Sequence, residues 1–134
     1  MLRVVLDTNV FVSAFLTGGI AEEVIRKWQK GKITLITTKE ILLEIIGVLY
    51  RLQVSEYHIK RLIRLIHQKA KIVKPNFKVE ICRDPMDNKF IECAIKGNAK
   101  VIITADKDLL IIGEYKNIII LKAKEFLEKF DKLE

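Results

Sequence analysis

Short β-branched runs alternate with longer amphipathic stretches along the whole of this 134-residue chain. Leu2 to Leu6, Ile33 to Ile36, Lys71 to Val73, Val101 to Ile103 and Ile118 to Leu121 read as strands, the third of them weak and ended by Pro75. Strands this short and apolar are buried on both faces, and helices between them demand parallel pairing. The pattern predicts a three-layer α/β/α sandwich with a mainly parallel central sheet of about five strands, residues 1–134 forming one domain.

The helices announce themselves by their caps. One starts after Asp7-Thr8-Asn9 and ends before Gly18-Gly19; the next runs from Ile20 to Lys30 and is closed by Gly31. Thr37-Thr38-Lys39-Glu40 reads as a capping box, Thr37 bonding forward and Glu40 back, and opens a helix to about Leu52. Ser55 caps a helix with Ile59, Leu62, Ile63, Leu65 and Ile66 on one face. Asp84-Pro85 starts a helix that continues to about Lys96 and stops at Gly97-Asn98. A short helix around Asp108 to Ile112 and a last one from Ala123 to Phe130 complete the reading.

The N-terminal apolar run is closed by Asp7 too early for a signal peptide, and no run approaches the ~20 residues that cross a bilayer. A cytoplasmic protein without membrane contact is therefore expected. Cys82 and Cys93 are spaced unlike zinc ligands and read as two small buried thiols. His58 and His67 have no partner at ligand spacing and read as solvated. Net charge is +7, and from Arg51 to Arg83 nine basic residues face two acids. That excess suits a polyanionic partner, and suits a solvated helix face equally well.

Four acids break the apolar pattern at telling places. Asp7 and Asp106 lie just past the carboxyl ends of the two most strand-like runs, where open sheets bind ligands. Asp87 falls near the centre of the apolar side of its helix, with Asn88, Lys89, Glu92 and Lys96 on the opposite side. The helix terminus favours its charge by only ~0.3–1 kcal/mol, too little to offset burial, so Asp87 needs a donor, a cation or water. Glu44 sits mid-helix on a polar strip with Glu40, Gly47 and Arg51, where an exposed side chain paired with Arg51 is the plainer reading. Singly, Asp7 and Asp106 are ordinary caps. Together, four carboxylates repel unless a cation joins them, and an all-oxygen set selects Mg²⁺ or Mn²⁺ over zinc.

These residues carry a resemblance. Val4-Val5-Leu6-Asp7-Thr8-Asn9-Val10, Thr38 with Glu44 six residues on, Asp84-Pro85-Met86-Asp87-Asn88-Lys89-Phe90-Ile91-Glu92-Cys93-Ala94, and Ile103-Thr104-Ala105-Asp106-Lys107-Asp108-Leu109 are similar in order and spacing to the motifs of PIN-domain ribonucleases. The nearest likeness is to VapC-like toxin components of prokaryotic toxin–antitoxin pairs. The resemblance implies a metal-dependent endoribonuclease, a homodimer and an antitoxin partner. It implies an acidic site of Asp7, Glu44, Asp87 and Asp106, supported by Asn9, Thr104 and Asp108. Ala105 stands where relatives often carry Gly, and Asp84 is an additional acid close to Asp87.

On this reading Asp7, Asp87 and Asp106 hold one or two Mg²⁺ or Mn²⁺ ions, and Glu44 ligates a second ion or orients the attacking water. Thr8, Asn9 and Thr104 fix the carboxylates by hydrogen bonds. Lys and Arg around the acids hold the RNA backbone. Two other readings compete. A phosphotransferase with a nucleophilic Asp7 would want a second acid two residues on, where Asn9 stands. A non-catalytic RNA- or protein-binding module would leave the four acids unexplained.

Overall fold

A computed structural model describes residues 1–134. Six strands form one sheet: β1 (Arg3–Leu6), β2 (Thr34–Thr37), β3 (Ala70–Ile72), β4 (Val101–Ile103), β5 (Glu114–Tyr115) and β6 (Ile118–Leu121). Seven helices flank it: α1 (Thr8–Leu16), α2 (Gly19–Gln29), α3 (Lys39–Arg51), α4 (Glu56–Lys69), α5 (Asn88–Lys96), α6 (Lys107–Leu110) and α7 (Ala123–Leu133). The result is the expected three-layer α/β/α sandwich. The sixth strand is the two-residue β5, which pairs antiparallel with β6 at the sheet edge and is too short to show a period of two.

The strand order is β3-β2-β1-β4-β6-β5, and all pairs but the last are parallel. From β1 the chain first builds outward through β2 and β3, then returns to lay β4 on the other side of β1. The order therefore reverses between β1 and β4. Helices and loops part at such a switch point, and a crevice opens outside the carboxyl ends of its two strands. The two strands end at Leu6 and Ile103, in register with each other. Asp7 follows directly, and Asp106 comes three residues after Ile103.

Val4, Val5, Leu35, Ile36 and all of β4 are fully buried, as strands covered on both faces must be. They anchor a hydrophobic core of 35 residues. Trp28 of α2 packs edge-on against Phe11, and its indole N–H donates to the carbonyl of Lys69 at the end of α4. No helix is long and apolar enough to cross a membrane.

Two local expectations need correction. The helix α3 is capped by Thr38, whose hydroxyl accepts from Ile41 N at 3.1 Å, and not by a Thr37–Glu40 box. Thr37 is still paired with Ile72 as the last residue of β2, so its backbone has not yet left the sheet. The second correction concerns α5. Asn88, Lys89 and Glu92, set by helical phasing on the side opposite Asp87, are not left to solvent: all three are buried. The chain between β3 and α5, residues 73–84, forms neither helix nor strand and lies over that side. Its backbone is satisfied by the helix: Asn88 Oδ1 accepts from Ile81 N and Cys82 N, and Glu92 Oε2 from Val79 N. Polar residues on this face thus do the work of a neighbouring strand.

Candidate metal centre

Asp7 is the N-cap of α1 and is nearly buried. Its Oδ2 accepts a 2.6 Å hydrogen bond from Thr104 Oγ1, across the switch point from β4. Its Oδ1 accepts a longer bond, 3.4 Å, from Asn9 N. The Thr104 hydroxyl in turn accepts from Asp106 N at 3.0 Å. One buried hydroxyl thus joins the two acids at the strand ends. Asn9 contributes its backbone only, since its side chain is exposed, and the Thr8 hydroxyl is buried without a partner. Of the three supporting hydrogen bonds expected from Thr8, Asn9 and Thr104 side chains, Thr104 alone makes one to an acid.

Asp106 caps α6, its Oδ1 accepting from Asp108 N at 2.8 Å. Asp87 ends a 3-10 turn, Pro85–Asp87, and leads into α5, which packs on β1 and β4. Asp84 caps that turn by accepting from Met86 N. Asp87 is 7% exposed, and its Oδ2 is buried with no hydrogen-bond partner.

The acids feel one another. Burial pushes the Asp87 carboxyl up to about 7, reinforced by the charge of Asp106 and hydrogen bonding toward it, then by Asp84 and Asp7. Asp7 is also raised, chiefly by burial, with the Thr104 and Asn9 hydrogen bonds opposing and Asp106 and Glu44 adding repulsion. All four predicted acids therefore share one field. The acids whose carboxylate oxygens come within 4.8 Å of one another are Asp84, Asp87 and Asp108. Of the four predicted acids only Asp87 belongs to that trio; Asp7 and Asp106 are related to it through charge, and Glu44 through its charge on Asp7. The Cys82 thiol sits in the same field. Burial and then Asp87, Asp106, Asp108 and Asp84 hold it up to about 11, so without a metal it stays a neutral thiol at pH 7. Cys93 is buried in the core and raised to about 12 by desolvation alone.

Glu44 reaches the site from α3. Its partner is Lys89, at 2.7 Å, rather than Arg51. Lys89 Nζ also donates to the carbonyl of Met86, the residue before Asp87, at 2.7 Å. Asp108 is paired with Arg83 at 2.9 Å. Neither cation was assigned to the site from the sequence. Lys89 stands two positions past Asp87, about 200° around a helix, and its enclosure comes from α3 and the unpatterned segment 73–84, both distant in the chain. No Lys or Arg lies within 4.0 Å of Asp7, Asp84, Asp87 or Asp106.

A buried carboxylate oxygen without a donor, among carboxylates without a cation, is a fitting place for a hard divalent ion. The donors are all oxygens, as Mg²⁺ or Mn²⁺ prefers.

Acids gathered at the carboxyl edge of a parallel sheet, at its switch point, define a ligand-binding α/β domain of the PIN type. The PIN-domain family profile matches residues 3–108, and the chain belongs to that family. It is also similar to the uncharacterized protein MJ1680 of Methanocaldococcus jannaschii, with 35% identity covering 98% of this chain and 93% of the relative.

Proposed function

We propose that residues 1–134 act as a single PIN-type nuclease domain, a metal-dependent endoribonuclease that hydrolyses RNA phosphodiester bonds through Asp7, Glu44, Asp87 and Asp106. The observation that carries this reading is Asp87: a buried carboxylate, one oxygen without a donor, facing other acids that lack a cation. Asp7, Asp87 and Asp106 would hold the ion. When bound, Mg²⁺ or Mn²⁺ supplies Lewis acidity, making water a better nucleophile and offsetting charge on the phosphodiester.

The residues of the chain have their own tasks. Thr104 keeps Asp7 and Asp106 in fixed relation. Glu44 orients water at the edge of the site, and Asp108 supports Asp106 through the backbone of α6. The acidic centre repels a polyanion, so cations beside it must hold the strand. A cavity of about 350 Å³ shares Lys89 with the site and is lined by Lys39, Lys74 and Lys78, with Phe77 available for base stacking. Single-stranded or loop RNA fits such a groove better than a duplex.

The toxin reading belongs here as well. A groove of about 550 Å³ between α2 and α4 has Phe15, Ile25, Leu62 and Leu65 in its floor and Arg61 and Arg64 at its rim. Leu16, Ile20, Leu43 and Tyr50 are also exposed, in α1, α2 and α3. Such surfaces support a homodimer and an acidic antitoxin partner for a cytoplasmic toxin.

The test is cleavage of a fluorescent single-stranded RNA in Mg²⁺. Wild type should cut, EDTA should stop it, and Asp7→Asn and Asp87→Asn should each lose about 10²-fold or more. Normal cutting by both variants, or in EDTA, would sink the reading.

A further inference from the structure

Six carboxylates surround the site, and the chain neutralises two of them itself. Lys89 pairs with Glu44 and Arg83 with Asp108. Asp7, Asp87 and Asp106 are left without a basic partner, and so is Asp84 at the exposed rim.

The two ion pairs differ in kind. Arg83 is largely exposed, so its pair is screened and replaceable. The Lys89 side chain is 9% exposed and Glu44 36%. The Lys89 ammonium has two acceptors, Glu44 Oε2 and the Met86 carbonyl, and both bonds are 2.7 Å. A metal ion that took Glu44 from it would leave a desolvated ammonium with one neutral acceptor. Breaking such a pair costs far more than a surface pair returns. Glu44 is therefore already occupied. Through Met86 the same ammonium also ties α3 to the turn that presents Asp87, so Lys89 fixes the spacing between two of the acids.

We propose that Lys89 stands in for a second metal ion at Glu44, so that the site takes one divalent cation, on Asp7, Asp87 and Asp106. This deepens the nuclease reading above and rests on it. Lys89 is a positioning residue: it holds Glu44 beside the bound ion as a hydrogen-bond acceptor, outside its coordination.

The experiment is Mn²⁺ titration without RNA, followed by calorimetry and by electron paramagnetic resonance. Wild type should bind one Mn²⁺. Glu44→Gln should keep its Kd within about threefold, whereas Asp7→Asn and Asp87→Asn should weaken it tenfold or more. Lys89→Met should gain a second, weaker Mn²⁺ that the Glu44→Gln, Lys89→Met double variant lacks. Two ions in wild type, a tenfold loss in Glu44→Gln, or no second ion in a folded Lys89→Met would overturn the proposal. If Lys89→Met does not fold, the wild-type count and Glu44→Gln decide it. The two failures are separable. If wild type binds no Mn²⁺, or Asp7→Asn and Asp87→Asn bind it as wild type does, the metal-site reading itself fails. If those two lose Mn²⁺ but Glu44→Gln loses it equally, only the role of Lys89 fails.

Discussion

Thr104 Oγ1 donates to Asp7 Oδ2 at 2.6 Å, between residues 97 positions apart in the chain. The bond closes the gap between β1 and β4 where the strand order reverses. It is one of two interactions that lower the Asp7 carboxyl against the rise that burial imposes.

Thr104→Val keeps the shape and removes the hydroxyl. Asp7 Oδ2 and Asp106 N both lose their partner. The variant should unfold ~1–3 kcal/mol more easily in urea, the cost of stranding buried polar groups. Its Mn²⁺ affinity should fall about 10- to 100-fold, as when a group that orients a ligand is removed. Unchanged affinity in a destabilised protein would reduce Thr104 to a packing residue.

The Asp87 carboxyl makes the metal-free protein lose stability as pH rises. Unfolded, the group gives up its proton near 3.8; folded, it keeps it to about 7. Between those values the native state binds more protons, so its advantage is whole below 3.8 and lost as pH passes 7. Asp7 acts in the same direction. The Tm in EDTA should therefore be higher at pH 5 than at pH 8, and Asp87→Asn should flatten the difference. Mg²⁺, which prefers the ionised carboxylate, should raise the Tm at pH 8 more than at pH 5. Melting curves at the two pH values check all three statements.

Asn88 and Glu92 hold the segment 73–84 in place. Asn88→Ala leaves Ile81 N and Cys82 N without their acceptor, and should cost ~1–3 kcal/mol. The loss is local, so limited proteolysis should show new cleavage between residues 74 and 83 before the rest of the chain is attacked. Resistance equal to wild type would mean the segment is held by its apolar contacts.

How much of this was legible depends on the length of each signal. β1 and β4 stand out as β-branched runs, and the acids at their ends follow from the parallel-sheet reading. α4 shows its face in Ile59, Leu62 and Ile66, all buried as their spacing predicts. β5 was invisible because two residues have no period. Thr37 and Thr38 offer the same hydroxyl at adjacent positions, and the pairing of Thr37 with Ile72 decides which one caps. The phasing of α5 set Asp87 on one side and Asn88, Lys89 and Glu92 on the other, but could not show that the second side is buried too. Helical phase identifies a polar side, but burial of that side depends on a distant segment with no pattern of its own. The same gap hid the Glu44–Lys89 pair and left Asp84 unassigned.

The enclosure of α5 has a further consequence. Every residue from Asn88 to Ala94 is buried, against the sheet on one side and the 73–84 segment on the other. Amides in such a helix exchange with solvent only when large parts of the molecule open. Asp87 leads directly into this enclosed helix, so its backbone is held from the C-terminal side by a fully buried element. A cation bound there is linked to unfolding of the whole molecule rather than to the closing of a loop, and its occupancy should be readable in the slowest-exchanging amides, far from the ion.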